Sequence, residues 1–127
     1  MSSLAFITDD SPVNRKLPAA FMQRLGWTIE EFADAESMLQ RLPDIQPALI
    51  LLDISMPGMS GTEACRIIRA NPAWRDIHLI AYTAHGMAQD REEFLDAGFN
   101  DILLKPLSLA TLTQAIAPVR NAPSAEA

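Results

Sequence analysis

The chain has 127 residues, of which 16 are acidic and 10 basic, for a net charge of −6; this is room for one domain of common size. Such acidity disfavours a nucleic-acid surface, which needs clustered Lys and Arg, and no apolar run approaches the ~18–20 residues that span a bilayer. No basic residue precedes the first apolar stretch, and the single Cys65 has no partner for an internal disulfide, so a cytoplasmic setting without secretory leader or membrane contact is the expectation.

Leu4-Ala5-Phe6-Ile7-Thr8 is a short apolar run that ends in Asp9-Asp10, the pattern of a strand buried on both faces. Ser11-Pro12 offers an N-cap and a proline at the first helical position. Val13, Leu17, Phe21 and Leu25 recur every fourth residue, and Gly26 offers a left-handed stop. Pro18 interrupts this pattern and predicts a kink. A second strand is expected over Trp27 to Phe32, then a short helix with Ala35, Met38, Leu39 and Leu42 inward. Pro43 to Pro47 reads as a linker.

Ala48-Leu49-Ile50-Leu51-Leu52-Asp53 is the clearest strand, apolar until its final carboxylate. Met56 to Gly61 is a Pro- and Gly-containing loop. A helix follows over Thr62 to Ala70, with Ala64, Ile67 and Ile68 on one side. A fourth strand is expected over Ile77 to Tyr82, a helix over about Gly86 to Ala97 closed by Gly98, and a fifth strand over Asp101 to Leu104. Ser108 caps a last helix whose inward stripe is Leu109, Leu112 and Ile116. From Pro118 the composition suits a frayed tail or linker.

Five strands alternating with five helices predict an α/β fold: a doubly wound parallel sheet with right-handed crossovers and helices on both faces. Ligands of such sheets bind beyond the carboxyl ends of the strands. Those ends deliver Asp9 and Asp10, Asp53, Thr83, and Lys105 with Pro106. Two carboxylates ~4 Å apart repel by roughly 4 kcal/mol at an effective dielectric near 20. A hard divalent cation such as Mg²⁺ relieves this and would hold a phosphoryl oxygen. Lys105 and the Thr83 hydroxyl are suited to the remaining phosphoryl oxygens, and a carboxylate nucleophile can form an acyl phosphate.

The set formed by Asp9-Asp10, Asp53 in LLDISMPGMSG, Thr83 in AYTAHG and Lys105-Pro106 resembles the response-regulator receiver (CheY-like) family of two-component signalling. The likeness runs from about Leu4 to Val119. It implies a flavodoxin-like sheet of order 2-1-3-4-5, a receiver over 1–119 and a flexible tail or linker over 120–127. It also implies a cis peptide at Lys105-Pro106 and phosphorylation of Asp53 by a histidine kinase or histidine phosphotransfer protein. The implied function is a phosphorelay switch of protein–protein contacts with a downstream protein, with no external substrate turned over.

By the same resemblance Asp10 and Asp53 bind Mg²⁺ directly, with Mn²⁺ or Ca²⁺ as substitutes. Asp9 acts partly through water, and Ser55 offers its backbone carbonyl. Ala84 leaves a path to the nucleophile, while His85 and Ser55 flank the phosphoryl site. SPVNR and TAHG are similar to receivers attached to hybrid sensor kinases. In one departure, Ile102 stands where the family usually carries Tyr or Phe. The aromatic half of its switch is therefore missing from the face of the fourth helix, fifth strand and fifth helix.

Three rivals stand beside this reading. A flavin-binding protein of similar topology needs a Ser/Thr/Gly-rich loop after the first strand, where this chain has Asp-Asp-Ser-Pro. An Asp-nucleophile phosphohydrolase carries its second Asp two residues after the first, whereas Asp9 and Asp10 are adjacent. A receiver-shaped scaffold that is never phosphorylated would differ in chemistry and not in fold.

Overall fold

The computed structural model describes residues 3–84 and 88–119. Five strands, β1 (Leu4–Thr8), β2 (Thr28–Phe32), β3 (Leu49–Asp53), β4 (His78–Thr83) and β5 (Asp101–Leu104), alternate with five helices. The helices are α1 (Pro12–Arg24), α2 (Ala35–Arg41), α3 (Gly61–Ala70), α4 (Ala88–Ala97) and α5 (Leu109–Ile116). All strand pairs are parallel, in the order β2-β1-β3-β4-β5. The expected fold class and strand order are both met. The tail from residue 120 and the expected helical start at Gly86 lie outside the described residues.

The central strands are buried on both faces, as their apolar runs require. Phe6, Ile50, Leu52, Leu79 and Ala81 face one layer with Met38, Ala64, Cys65, Ile68 and Phe94, which places α2, α3 and α4 on that side. Ala5, Ile7, Leu49, Leu51, Ile80 and Leu103 face the other with Met22, Leu112 and Ile116, which belongs to α1 and α5. β2 is an edge strand with none of its five residues fully buried. Side-chain caps begin four of the helices: Ser11, Asp34, Ser60 and Ser108 each accept from a backbone N–H three residues on. Each satisfies a donor that the first turn would otherwise leave open.

Three inward stripes differ from the sequence expectation. On α1, Val13 is 74% exposed, Leu17 and Leu25 are also exposed, and the buried residues are Pro18, Ala19 and Met22. The helix continues through Pro18, whose ring packs as a core residue. On α3, Ile67 is exposed and Cys65 takes the inward place; on α5, Leu109 is exposed and Ala115 is buried. Small residues share the inward faces of these helices with Met22, Ile68, Leu112 and Ile116, while Val13, Ile67 and Leu109 turn outward.

Arg69 ties the far end of the sheet together. Its Nε donates to the Gly98 carbonyl at 2.8 Å, Nη1 to that of Ile77 at 2.8 Å, and Nη2 to Asn100 Oδ1 at 2.7 Å. Asn100 Oδ1 also accepts from Leu79 N, and Asn100 N donates to Leu79 O. The α3 helix, β4 and the turn into β5 are thus fixed to one another. A Cβ at Gly98 would collide with the Arg69 side chain.

The two candidate inward faces of α1 give opposite mutational outcomes. Met22→Ala is expected to cost about 2–5 kcal/mol as a cavity in the core. Val13→Ser, on the sequence-expected stripe, should stay within about 0.5 kcal/mol. Urea unfolding midpoints at unchanged slope measure both.

Candidate functional site

The carboxyl ends of β1, β3, β4 and β5 lie side by side because the strands are parallel and in register, with Thr8 opposite Leu52, Asp53 opposite Tyr82 and Thr83 opposite Leu104. The residue that follows or ends each strand therefore reaches one rim. Asp9, Asp10 and Asp53 each offer a carboxylate oxygen there, and these atoms all lie within 4.8 Å of one another. Asp9 and Asp53 are buried, at 0% and 4% exposure, while Asp10 is exposed. Lys105 Nζ reaches between the two buried acids, 2.9 Å from Asp9 Oδ2 and 3.4 Å from Asp53 Oδ1. It also stands 5.0 Å from the centre of the Tyr82 ring.

Backbone contacts hold these groups in place. Ser11 N donates to Asp9 Oδ1 at 2.9 Å, and Ser55 N donates to Asp53 Oδ1 at 3.3 Å. Thr83 is buried, and its carbonyl accepts from Lys105 N at 2.8 Å, which fixes the start of the Lys105 segment against β4. The Lys105–Pro106 peptide is cis, as expected. Gly61 N donates to Ile54 O at 3.0 Å and brings the start of α3 back onto the end of β3. A Cβ at Gly61 would collide with the Asp53 carbonyl oxygen, so only glycine permits this closure of the loop beside Asp53.

Burial, then the charge of Asp9, pushes the Asp53 carboxyl up to about 6, against the opposing pull of Lys105. Burial works to lower the Lys105 ammonium, but its contact with Asp9 and the charge of Asp53 outweigh this and raise it. One ammonium therefore offsets only part of the negative charge. Asp9 Oδ2 is buried and has no hydrogen bond besides its charge contact with Lys105. An all-oxygen cluster whose negative charge one ammonium offsets only in part fits a hard divalent cation.

The structure thus brings Asp9, Asp10, Asp53 and Lys105 together, sets Thr83 beside Lys105 through the backbone, and links Ser55 to Asp53 through its N–H. Ala84 is exposed at the end of β4; His85 lies outside the described residues. Ile102 is half-buried and packs against the layer that contains Phe94 and Phe99. Sequence reading missed Arg15, Gly61 and Tyr82. Gly61 was visible only as a loop glycine, because its close approach to Asp53 depends on the path of the loop.

A family model described as the response regulator receiver domain matches residues 5–117. The signal transduction histidine-protein kinase BarA of Shigella flexneri is 38% identical over 99 residues, covering 78% of this chain and 11% of that protein. The chain thus spans about a tenth of the length of that relative. The solved receiver domain of sensor histidine kinase PA1611 from Pseudomonas aeruginosa PAO1, with a magnesium ion in its active-site cleft, is 31% identical. It superposes with a TM-score of 0.84, covering 93% of this chain and 97% of that one. The chemotaxis protein CheY4 of Vibrio cholerae, 23% identical, superposes with a TM-score of 0.87 over 94% of this chain and 99% of that one.

The raised Asp53 carboxyl makes a signed prediction for metal-free buffer. Well below pH 3.8 this carboxyl is protonated in both folded and unfolded chains and its charge has no effect. As pH rises from 3.8 to about 6, the unfolded chain gives up its proton first, and stability falls. Asp53→Asn should therefore stabilise the protein above pH 6, by on the order of 1–3 kcal/mol, and leave it nearly unchanged at about pH 3. Thermal unfolding with chelator at the two pH values checks this.

Proposed function

Because the chain belongs to the response regulator receiver family, we propose that Asp53 accepts a phosphoryl group from a phosphohistidine on a histidine kinase or histidine phosphotransfer protein. The observation that carries this reading is the cluster of Asp9, Asp10 and Asp53 within 4.8 Å, with Lys105 inserted between its two buried members. That arrangement is costly to the fold unless the charge has a use.

An Asp53 carboxylate oxygen forms the new bond to phosphorus while the phosphorus–nitrogen bond to the donor imidazole breaks. Lys105, already 3.4 Å from Asp53 Oδ1, pairs with a phosphoryl oxygen, and the Thr83 hydroxyl donates to another. The carboxylates of Asp10 and Asp53 and the Ser55 carbonyl would hold Mg²⁺, with Asp9 acting partly through water and Mn²⁺ or Ca²⁺ as substitutes. Bound there, the cation supplies neutralisation of the charge on the phosphoryl oxygens.

In this reading residues 1–119 form the receiver and 120–127 a tail or linker, in the cytoplasm. The BarA likeness supports a place in a phosphorelay of hybrid-kinase type. The chain turns over no external substrate and binds neither nucleic acid nor membrane by itself. Phosphorylation changes its contacts with a downstream protein. Ile102 makes the inward rotation of an aromatic side chain unusable as the trigger on the face of α4, β5 and α5.

Incubation with acetyl phosphate and Mg²⁺ is expected to add one phosphoryl mass, ~80 Da, to the wild type in intact-mass spectra. Neither the metal-free sample nor Asp53→Asn should gain it. If a phosphorylated histidine donor also fails to transfer, the unphosphorylated scaffold replaces this reading.

A further inference from the structure

Arg15 lies on the first turns of α1 and spans two strands. Its Nη1 donates to the Asp9 carbonyl at 2.7 Å, and its Nε donates to Glu31 Oε1 at 3.0 Å. Glu31 sits on the edge strand β2, beside Phe32, whose carbonyl accepts from Asp9 N at 3.1 Å. The arginine side chain is 16% exposed, although its partner Glu31 is 43% exposed. An exposed ion pair contributes little to stability. The bond to the carbonyl is the one that acts on the site.

That carbonyl belongs to the peptide unit joining Asp9 to Asp10. A peptide is planar, so fixing its C=O direction fixes the plane from which both residues depart. The Asp9 carboxylate has its own ties to Ser11 and Lys105. Asp10 is exposed, and its Cα–Cβ bond departs from the peptide plane that the Asp9 carbonyl fixes.

We infer that Arg15 is a positioning residue: anchored by Glu31 on β2, it sets the Asp9–Asp10 peptide so that both carboxylates face Asp53 and can share one cation. This rests on the metal-dependent reading above. Arg15 needs its fork for two simultaneous acceptors in different directions, which a lysine ammonium does not supply in the same geometry. Among the described residues Arg15 alone connects α1 and β2 to the Asp9 carbonyl by side-chain hydrogen bonds.

The test exploits opposite signs. Arg15 is a cation near a cation site, so its charge alone would weaken metal binding, and its removal would tighten it. Positioning predicts the reverse. Mn²⁺ affinity, measured by electron paramagnetic resonance of the free ion, is expected to fall about tenfold in Arg15→Ala, as for partners that orient metal ligands elsewhere. Arg15→Lys should recover only part of the loss, with circular dichroism checking that each variant is folded. Affinity in Arg15→Ala that is unchanged or tighter overturns the inference and leaves the phosphoacceptor reading intact. Wild-type protein that neither binds Mn²⁺ nor takes a phosphoryl group overturns both. Should Arg15→Ala fail to fold, Arg15→Lys decides: weaker binding supports positioning, and wild-type affinity overturns it.

Discussion

Three carboxylates and one ammonium meet at a rim where the backbone leaves them little freedom, and the balance of charge there constrains everything around it. Two of the acids are buried, so water screens them poorly. Lys105 reaches both, yet the Asp53 carboxyl is still pushed up to about 6. The surrounding structure works to keep repelling groups together: Ser11 and Ser55 donate to the carboxylates, Arg15 fixes the Asp9 carbonyl, and the loop back to Gly61 closes beside Asp53. Electrostatic cost at a site, offset by packing and backbone hydrogen bonds elsewhere, is the usual sign of a built functional centre.

The sheet that supports this rim was legible from local pattern. Apolar runs ending in Asp9, Asp53 and Thr83 marked buried parallel strands and at once named what they deliver, because ligand sites of such sheets lie at the carboxyl ends. Helix faces were less legible. Val13, Leu17 and Leu25 form a regular apolar stripe, but Ala19 and Met22 form another, and periodicity alone does not say which the sheet selects. Pro18 read as a kink in the helix, whereas α1 runs through it and its ring is buried. Cys65 and Ala115 pack inward beside Ile68, Leu112 and Ile116, while Ile67 and Leu109 face out.

Residues that act through backbone atoms were not legible at all. Arg15 stood in the SPVNR segment only as part of a family likeness; its value comes from a carbonyl six residues earlier and an acid on another strand. Gly61 matters through an approach to Asp53 that exists only once the loop is folded. Ile102 shows the opposite case. Its departure from the family pattern is plain in sequence, and the structure gives it an ordinary packing role against the layer of Phe94 and Phe99.

The parallel order of the sheet also bears on how the molecule comes together. The acids arrive on β1 and β3, which pair directly, whereas the lysine follows β5 at the far edge, joined only through β4. A chain that has paired β1 with β3 but not yet added β5 holds the carboxylates at close range with no ammonium between them. Once β5 is docked, the Lys105 ammonium stands against the Asp9 and Asp53 carboxylates, so this edge strand is held by charge as well as by burial.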